Sequence, residues 1–115
     1  MAEKSLFSRI IDGEIPSEKV YEDEAYYAFR DIHPAAPEHV LIVPKKVLPS
    51  ITDAREEDRE LLGGLLLTAN KVAKELGIDE TGFRCVINCG RHAGQEVPHL
   101  HLHVLGGRLL DWPPG

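Results

Sequence analysis

Between Pro98 and Leu105 the chain sets three of its six histidines at every second position, His99, His101 and His103, with Leu100, Leu102 and Val104 completing the alternation. Alternation of polar and apolar residues over this length marks a β-strand with one face in a core. No other stretch constrains the fold as much, because the aliphatic side chains must meet a second layer while the imidazoles share the opposite face. Successive imidazoles on such a strand stand about 6–7 Å apart, from a rise of roughly 3.3 Å per residue. Two of them can reach one metal ion, whose nitrogen ligands sit at about 2.0–2.1 Å. The outer pair, roughly 13 Å apart on a straight strand, cannot join them without a bend. A row with one imidazole at a reacting centre, and neighbours that donate hydrogen bonds to an anionic substrate, fits the spacing better. Histidine suits that centre because an ordinary pKa near 6.5 leaves it mostly neutral, hence nucleophilic or basic, at neutral pH. A zinc site and a half-exposed strand without function are the competing readings.

The 115 residues, 43% of them hydrophobic, suit one compact domain over 1–115 with a single core. Met1 to Ser5 lack an apolar signal region, and no apolar run approaches the roughly 20 residues of a membrane span. A soluble, cytoplasmic protein without membrane contact is expected. A net charge of -6 argues against broad nucleic-acid binding, which needs many phosphates neutralised by Lys and Arg. It leaves room for a small anionic ligand at a locally positive site. Cys85 and Cys89 are expected to be reduced, and on one strand they lie too far apart to bridge. They form no C-x-x-C pair, which removes support for a thioredoxin-like or zinc-ribbon reading.

In chain order, Ser5 is expected to cap a short helix through Leu6–Ile11 that Gly13 ends, with Phe7, Ile10 and Ile11 packing at helical spacing. Lys19–Tyr21 and Tyr26–Asp31 read as a hairpin turned at Glu22–Glu24. Tyr27, Phe29 and Asp31 then share a face, where the acid is either a solvated strand end or a carboxylate beside an aromatic shelf. After the proline-rich loop at His33–Pro37, His39–Pro44 reads as a buried strand opened by a histidine. Asp53 with Glu56 has the form of a capping box, opening a helix that runs to Gly77 with a broad leucine and alanine stripe. Gly63-Gly64 within it suggests close packing on another backbone, since each glycine costs about 1 kcal/mol against alanine. Phe83–Asn88 reads as a strand joined to the histidine strand by a glycine-containing connection, so that Asn88 and the 94–97 backbone come near the imidazoles. Trp112, in a proline-rich tail, is too large and apolar to be left loose and is expected to pack on its own domain or on a partner.

With these pieces in place, His99-Leu100-His101-Leu102-His103-Val104-Leu105 resembles the His-φ-His-φ-His-φ-φ signature of the histidine triad family, φ being apolar. Phe7–Pro16, Ala28–Ile32, His39–Lys46, Asn88, Gly94-Gln95 and the tail from Gly107-Arg108 to Trp112-Pro113-Pro114-Gly115 resemble its nucleotide-binding branch, the purine nucleoside phosphoramidases. The resemblance implies an α+β domain with a five-stranded antiparallel sheet and two helices, and a homodimer whose sheets join. It implies a hydrolase that cleaves the P–N bond of adenosine or other purine nucleoside 5′-phosphoramidates, giving AMP and an amine. In that scheme His101 is the nucleophile that forms a nucleotidyl-histidine. His99 and His103 bind phosphate oxygens, and His39 stands behind them as a supporting or proton-relay group. Asp31 takes the ribose, with Ile32 beside it, and Phe7, Ile10, Ile15 and Phe29 form the purine pocket. Asn88, Gly94 and Gln95 lie on the phosphate side, and Val97, Leu102 and Trp112 complete the nucleotide-binding set. No cofactor is implied.

The sequence departs from the family pattern at two places. Glu96 stands where many eukaryotic members carry a serine on the leaving-group side, and a carboxylate there repels a polyphosphate while attracting a protonated amine. The N-terminal zinc-binding cysteine pair of some relatives is absent, so no metal is expected. A dinucleoside polyphosphate hydrolase and a nucleotide-binding scaffold are the alternative functions.

Overall fold

The strands over Tyr26–Arg30 and Glu38–Pro44 have apolar residues to bury on both of their faces, and the sheet is covered on both sides there. The structure is a computed structural model that describes residues 4–115. Residues 1–3, part of the stretch in which a signal region was sought, lie outside the described residues. The elements run α1 (Leu6–Ile11), β1 (Lys19–Glu22), β2 (Tyr26–Arg30), β3 (Glu38–Pro44), α2 (Arg59–Leu76), β4 (Phe83–Val86) and β5 (Leu102–Gly106). Short 3-10 turns at Ile51–Asp53 and Glu56–Asp58 precede α2, and another at Arg91–Ala93 follows β4. All pairings are antiparallel, in the order β1-β2-β3-β5-β4. This is the α+β architecture expected, five antiparallel strands with two helices.

Period-two alternation sorts the side chains between the two layers. Tyr26, Ala28, Val40, Ile42, Leu102 and Val104 face α2 and pack on its buried Leu65, Ala69, Val72 and Ala73. Tyr27, Phe29, Leu41 and Val43 face the other way and meet Phe7 and Ile10 of α1. The second, smaller cluster is the floor of the site. Among the described residues no helix is long and apolar enough to cross a membrane.

Local chemistry explains where the elements begin and end. Ser5 caps α1 by accepting the Ser8 N–H at 2.9 Å. Asp23 Oδ1 accepts the N–H groups of Ala25 and Tyr26, both at 2.8 Å, which closes the β1-β2 hairpin. Gly77 ends α2 in the left-handed conformation at φ 73° that glycine adopts without cost.

Four expectations are corrected. The capping box belongs to Asp58, whose carboxylate accepts the Arg55 N–H at 2.9 Å, and α2 opens at Arg59 because the Asp53 side chain is held by Ser50 instead. Lys46 donates to the same buried Asp58 at 2.6 Å and holds its carboxyl below the ordinary carboxylate range. Gly64 makes room for a side chain rather than a backbone: the Tyr26 ring fills the space of a Cβ, and its hydroxyl donates to Leu61 O at 2.6 Å. Gly63 faces open space. Only Cys85 lies on β4, Cys89 falls beyond its end, and both are free thiols. Of the two places expected for Trp112, its own domain is not the one: the ring is 80% exposed, with the Arg84 guanidinium 6.0 Å from its centroid.

Candidate active site

His99, His101 and His103 occupy the α1 side of the sheet, but of these three only His103 lies within a strand. β5 starts at Leu102, because the backbone before it turns to other partners: His99 N–H donates to Val97 O at 2.8 Å and Leu100 N–H to Leu48 O at 2.6 Å. The alternation survives this bend. Leu100, Leu102 and Val104 enter the main core, and the imidazoles gather on the opposite side. His101 and His103 lie with ring centroids 5.1 Å apart, and Phe7 meets His101 edge-on at 4.9 Å.

Neighbouring backbone groups assign each imidazole its tautomer. A carbonyl can only accept, so His101 Nδ1 donates to His99 O at 2.7 Å. A neutral His101 therefore keeps a bare lone pair on Nε2. His99 Nε2 donates to Pro44 O at 2.7 Å, so its Nδ1 accepts, and the partner is the Ser5 hydroxyl at 2.6 Å. Ala35 N–H donates to His39 Nδ1 at 3.0 Å, so His39 Nε2 donates in turn to His103 Nδ1 at 2.9 Å. His103 is left with its hydrogen on Nε2. Asp31 Oδ2 lies 3.5 Å from His39 Nε2. The result is one nucleophilic nitrogen, on His101, between two neutral rings: His99, whose hydrogen is committed to Pro44 O, and His103, whose Nε2–H is left to donate.

Burial keeps the supporting rings neutral. It pushes His99 and His39 below the ordinary histidine pKa, and it brings His103 down to about 4 with help from the neighbouring His101 and His39. The Asp31 carboxylate opposes the shift of His39 and His103 without overcoming it.

His101 and His103 line a cleft of about 450 Å³. Phe7, Ile10, Ile15, Phe29 and Val97 give it apolar walls, while Asp31, Ile32, Asn88, Gly94 and Glu96 stand around it. An aromatic and aliphatic slot that opens onto imidazoles and one carboxylate is shaped for a flat heterocycle joined to a polar, anionic group. Leu6, Pro16, Ser17, Arg30 and Leu41 also contribute, and sequence reasoning passed over them as a cleft. Leu41 had a readable signal, since it is two residues from His39 on β3 and pairs with His103 across the ladder.

Several assigned residues stand elsewhere. Leu102 is fully buried on the α2 face, where no ligand of the cleft meets its side chain. Gln95 turns its amide onto Pro49 O and Val97 O and accepts the Gly90 N–H, bracing the loop beside a neighbouring groove. Trp112 is outside the cleft of its own chain. His99 has no exposed surface and both ring nitrogens are taken, so it supports the backbone rather than binding phosphate oxygens. Asp31, His39 and His103 place one ligand atom each within 4.8 Å of one another, a metal-like cluster among the described residues. An ion there would have to break the His39–His103 hydrogen bond and displace the His39 proton, so hydrogen bonding is the better account of the arrangement.

The comparisons agree with the geometry. The HIT domain model matches residues 12–110. An uncharacterized HIT-like protein of Synechocystis is 56% identical over the full length of both chains. The purine nucleoside phosphoramidase of Escherichia coli is 49% identical over 96% of this chain and 92% of its own. A crystal structure of a HIT family hydrolase from Legionella pneumophila superposes with a TM-score of 0.95 at 50% identity, covering 97% of this chain and all of that one. The motif, the sheet that carries it and these likenesses agree: the chain belongs to the HIT domain family.

Proposed function

We propose that the protein is a purine nucleoside phosphoramidase, which hydrolyses adenosine 5′-phosphoramidates to AMP and an amine. The observation that carries the reading is the locked His101 tautomer, with Nδ1 tied to a carbonyl and Nε2 free beside an apolar slot. Nε2 attacks the α-phosphorus; an N–P bond to His101 forms as the bond to the amine breaks, and the amine leaves with a proton drawn from solvent at the open mouth. Water then attacks the nucleotidyl-histidine, gives a proton back to solvent and releases AMP with His101 neutral. The purine rests among Phe7, Ile10, Ile15 and Phe29, and Asp31 takes the ribose hydroxyls. His103 Nε2–H and Asn88 meet the phosphoryl oxygens, where fixed donors in a dry cleft are worth most. His39 keeps His103 in its donating form.

Glu96, on the rim of the cleft, favours an amine over a polyphosphate as leaving group. Turnover of adenosine 5′-phosphoramidate is therefore expected to exceed that of diadenosine tetraphosphate without added metal. Glu96→Ser should narrow the ratio about tenfold, the worth of roughly 1.4 kcal/mol of relieved repulsion. A ratio unchanged by the substitution removes Glu96 from the account; turnover of the polyphosphate alone moves the protein to the sister activity.

The acting unit is a cytoplasmic homodimer in this reading. β4 is an edge strand paired on one side only, and Leu66, Leu67 and Trp112 are exposed in the single chain. An open edge is a template for pairing with a second copy. Sedimentation at micromolar concentration is expected to return twice the chain mass, and a lone monomer sinks the dimer.

A further inference from the structure

Ser5 is needed at the start of α1 only as a cap, yet its oxygen makes a second contact that a cap does not require. Oγ lies 2.6 Å from His99 Nδ1, across 94 residues of chain, and accepts the Ser8 N–H at 2.9 Å. His99 is fully buried, its Nε2–H held by Pro44 O, and its carbonyl receives the Nδ1–H of His101. Phe7, two residues after Ser5, lies against both His99 and His101, with ring centroids at 5.8 and 4.9 Å. One hydroxyl thus joins the helix that walls the cleft to the histidine whose carbonyl orients the reacting ring.

We propose that Ser5 is a positioning residue for His101: by donating to His99 Nδ1 it holds His99 neutral in its Nε2–H form and aligns α1 with the reacting imidazole. The hydroxyl serves both functions at once: its two lone pairs can take the Ser8 N–H at 2.9 Å and the Ser8 hydroxyl at 3.1 Å, while its one hydrogen goes to the nearer, buried His99 Nδ1 at 2.6 Å, which has none to give. With that hydrogen gone, the buried Nδ1 lone pair is left to capture a proton. A cation at His99 opposes the positive charge that His101 gains when it attacks phosphorus. The ring can also tilt, carrying the His99 carbonyl and the His101 Nδ1–H with it.

The kinetic half of this inference rests on the phosphoramidase reading; the tautomer half does not. Ser5→Asp separates the two roles of the hydroxyl, since a carboxylate caps a helix as well as serine does but cannot donate to Nδ1 and draws a proton onto it. Ser5→Thr keeps both roles. The Asp variant is expected to melt close to the parent and to lose kcat about tenfold to a hundredfold, the range for groups that orient a reacting ligand. Its KM should hold, and the acid limb of its kcat profile should move to higher pH. The Thr variant should recover the parental kcat. Imidazole nitrogen NMR should show a bare, hydrogen-bonded Nδ1 at His99 in the parent and a protonated one in Ser5→Asp. Parental kcat and pH profile in Ser5→Asp, or an Nδ1 already protonated in the parent, overturns the proposal. If the parent fails to turn over phosphoramidates, the phosphoramidase reading falls, and the NMR comparison still decides the tautomer that Ser5 imposes.

Discussion

Replacement of His101 by alanine is expected to reduce AMP release from adenosine 5′-phosphoramidate by roughly ten-thousand-fold or more, the scale of loss when a covalent nucleophile is removed. The expectation follows from how little else in the cleft can attack phosphorus. His103 keeps its hydrogen on Nε2 and its lone pair facing His39, and His99 is sealed from solvent. To take over, His103 would have to give up its hydrogen bond to His39, and His99 its bonds to Ser5 and Pro44. Binding should largely survive, because the slot is made by Phe7, Ile10, Ile15 and Phe29 rather than by the imidazole. AMP affinity measured by calorimetry is therefore expected to change by less than about tenfold, equivalent to 1.4 kcal/mol. A parent that turns over while His101→Ala keeps a tenth of its rate defeats the covalent route; an inactive parent that binds AMP points to the scaffold reading. Trapping with acid during turnover should recover nucleotide bound to the parent and none bound to the variant.

The sheet and the identity of its faces were legible because they depend on period two alone. Tyr27, Phe29 and Leu41 fall on the cleft side, and Tyr26, Ala28 and Ile42 on the α2 side, by alternation within short strands. The hairpin at Asp23 and the stop at Gly77 were legible for the same reason, since each uses the chemistry of one or two adjacent residues. What escaped depends on contacts distant in sequence. Pairing of Leu100 N–H with Leu48 O bends the chain ahead of β5, and nothing in the alternation of residues 98–105 announces that partner. The role of His99 escaped likewise: a strand pattern places it level with His101 and His103, whereas Pro44 O and Ser5 take both its nitrogens. Leu102 was assigned to the ligand by a family resemblance although its own alternation put it in the core. Where the two kinds of argument disagreed, the local periodicity was the better guide to the side chain.

The same buried imidazoles are expected to make the fold acid-labile in a window that carboxylates do not cover. Unfolded, a histidine takes up its proton near pH 6.5. Folded, His103 resists protonation down to about 4, and burial lowers His99 and His39 as well. Between those limits the unfolded chain binds more protons than the folded one, so stability is greatest above pH 6.5 and falls as the pH drops toward 4. His103 alone accounts for about 2–3 kcal/mol across the window, at 1.36 kcal/mol per unit. At about 4–8 °C per kcal/mol for a domain near this size, the melting temperature should fall by more than about 10 °C between pH 7 and pH 4.5. Glu22, Asp23 and Asp58 are lowered too, from ordinary values of 4.5, 3.8 and 3.8, so their loss of stabilisation has the same sign but is concentrated at lower pH. A titration confined to pH 7–5 therefore isolates the imidazoles. His103→Gln, which retains a polar planar group without a titrating nitrogen, is expected to flatten the early part of the curve even if its melting temperature at pH 7 is lower. A parent whose melting temperature is level from pH 7 to pH 5 would show that these rings pick up protons in place, and the neutral relay of His39 and His103 would fall with it.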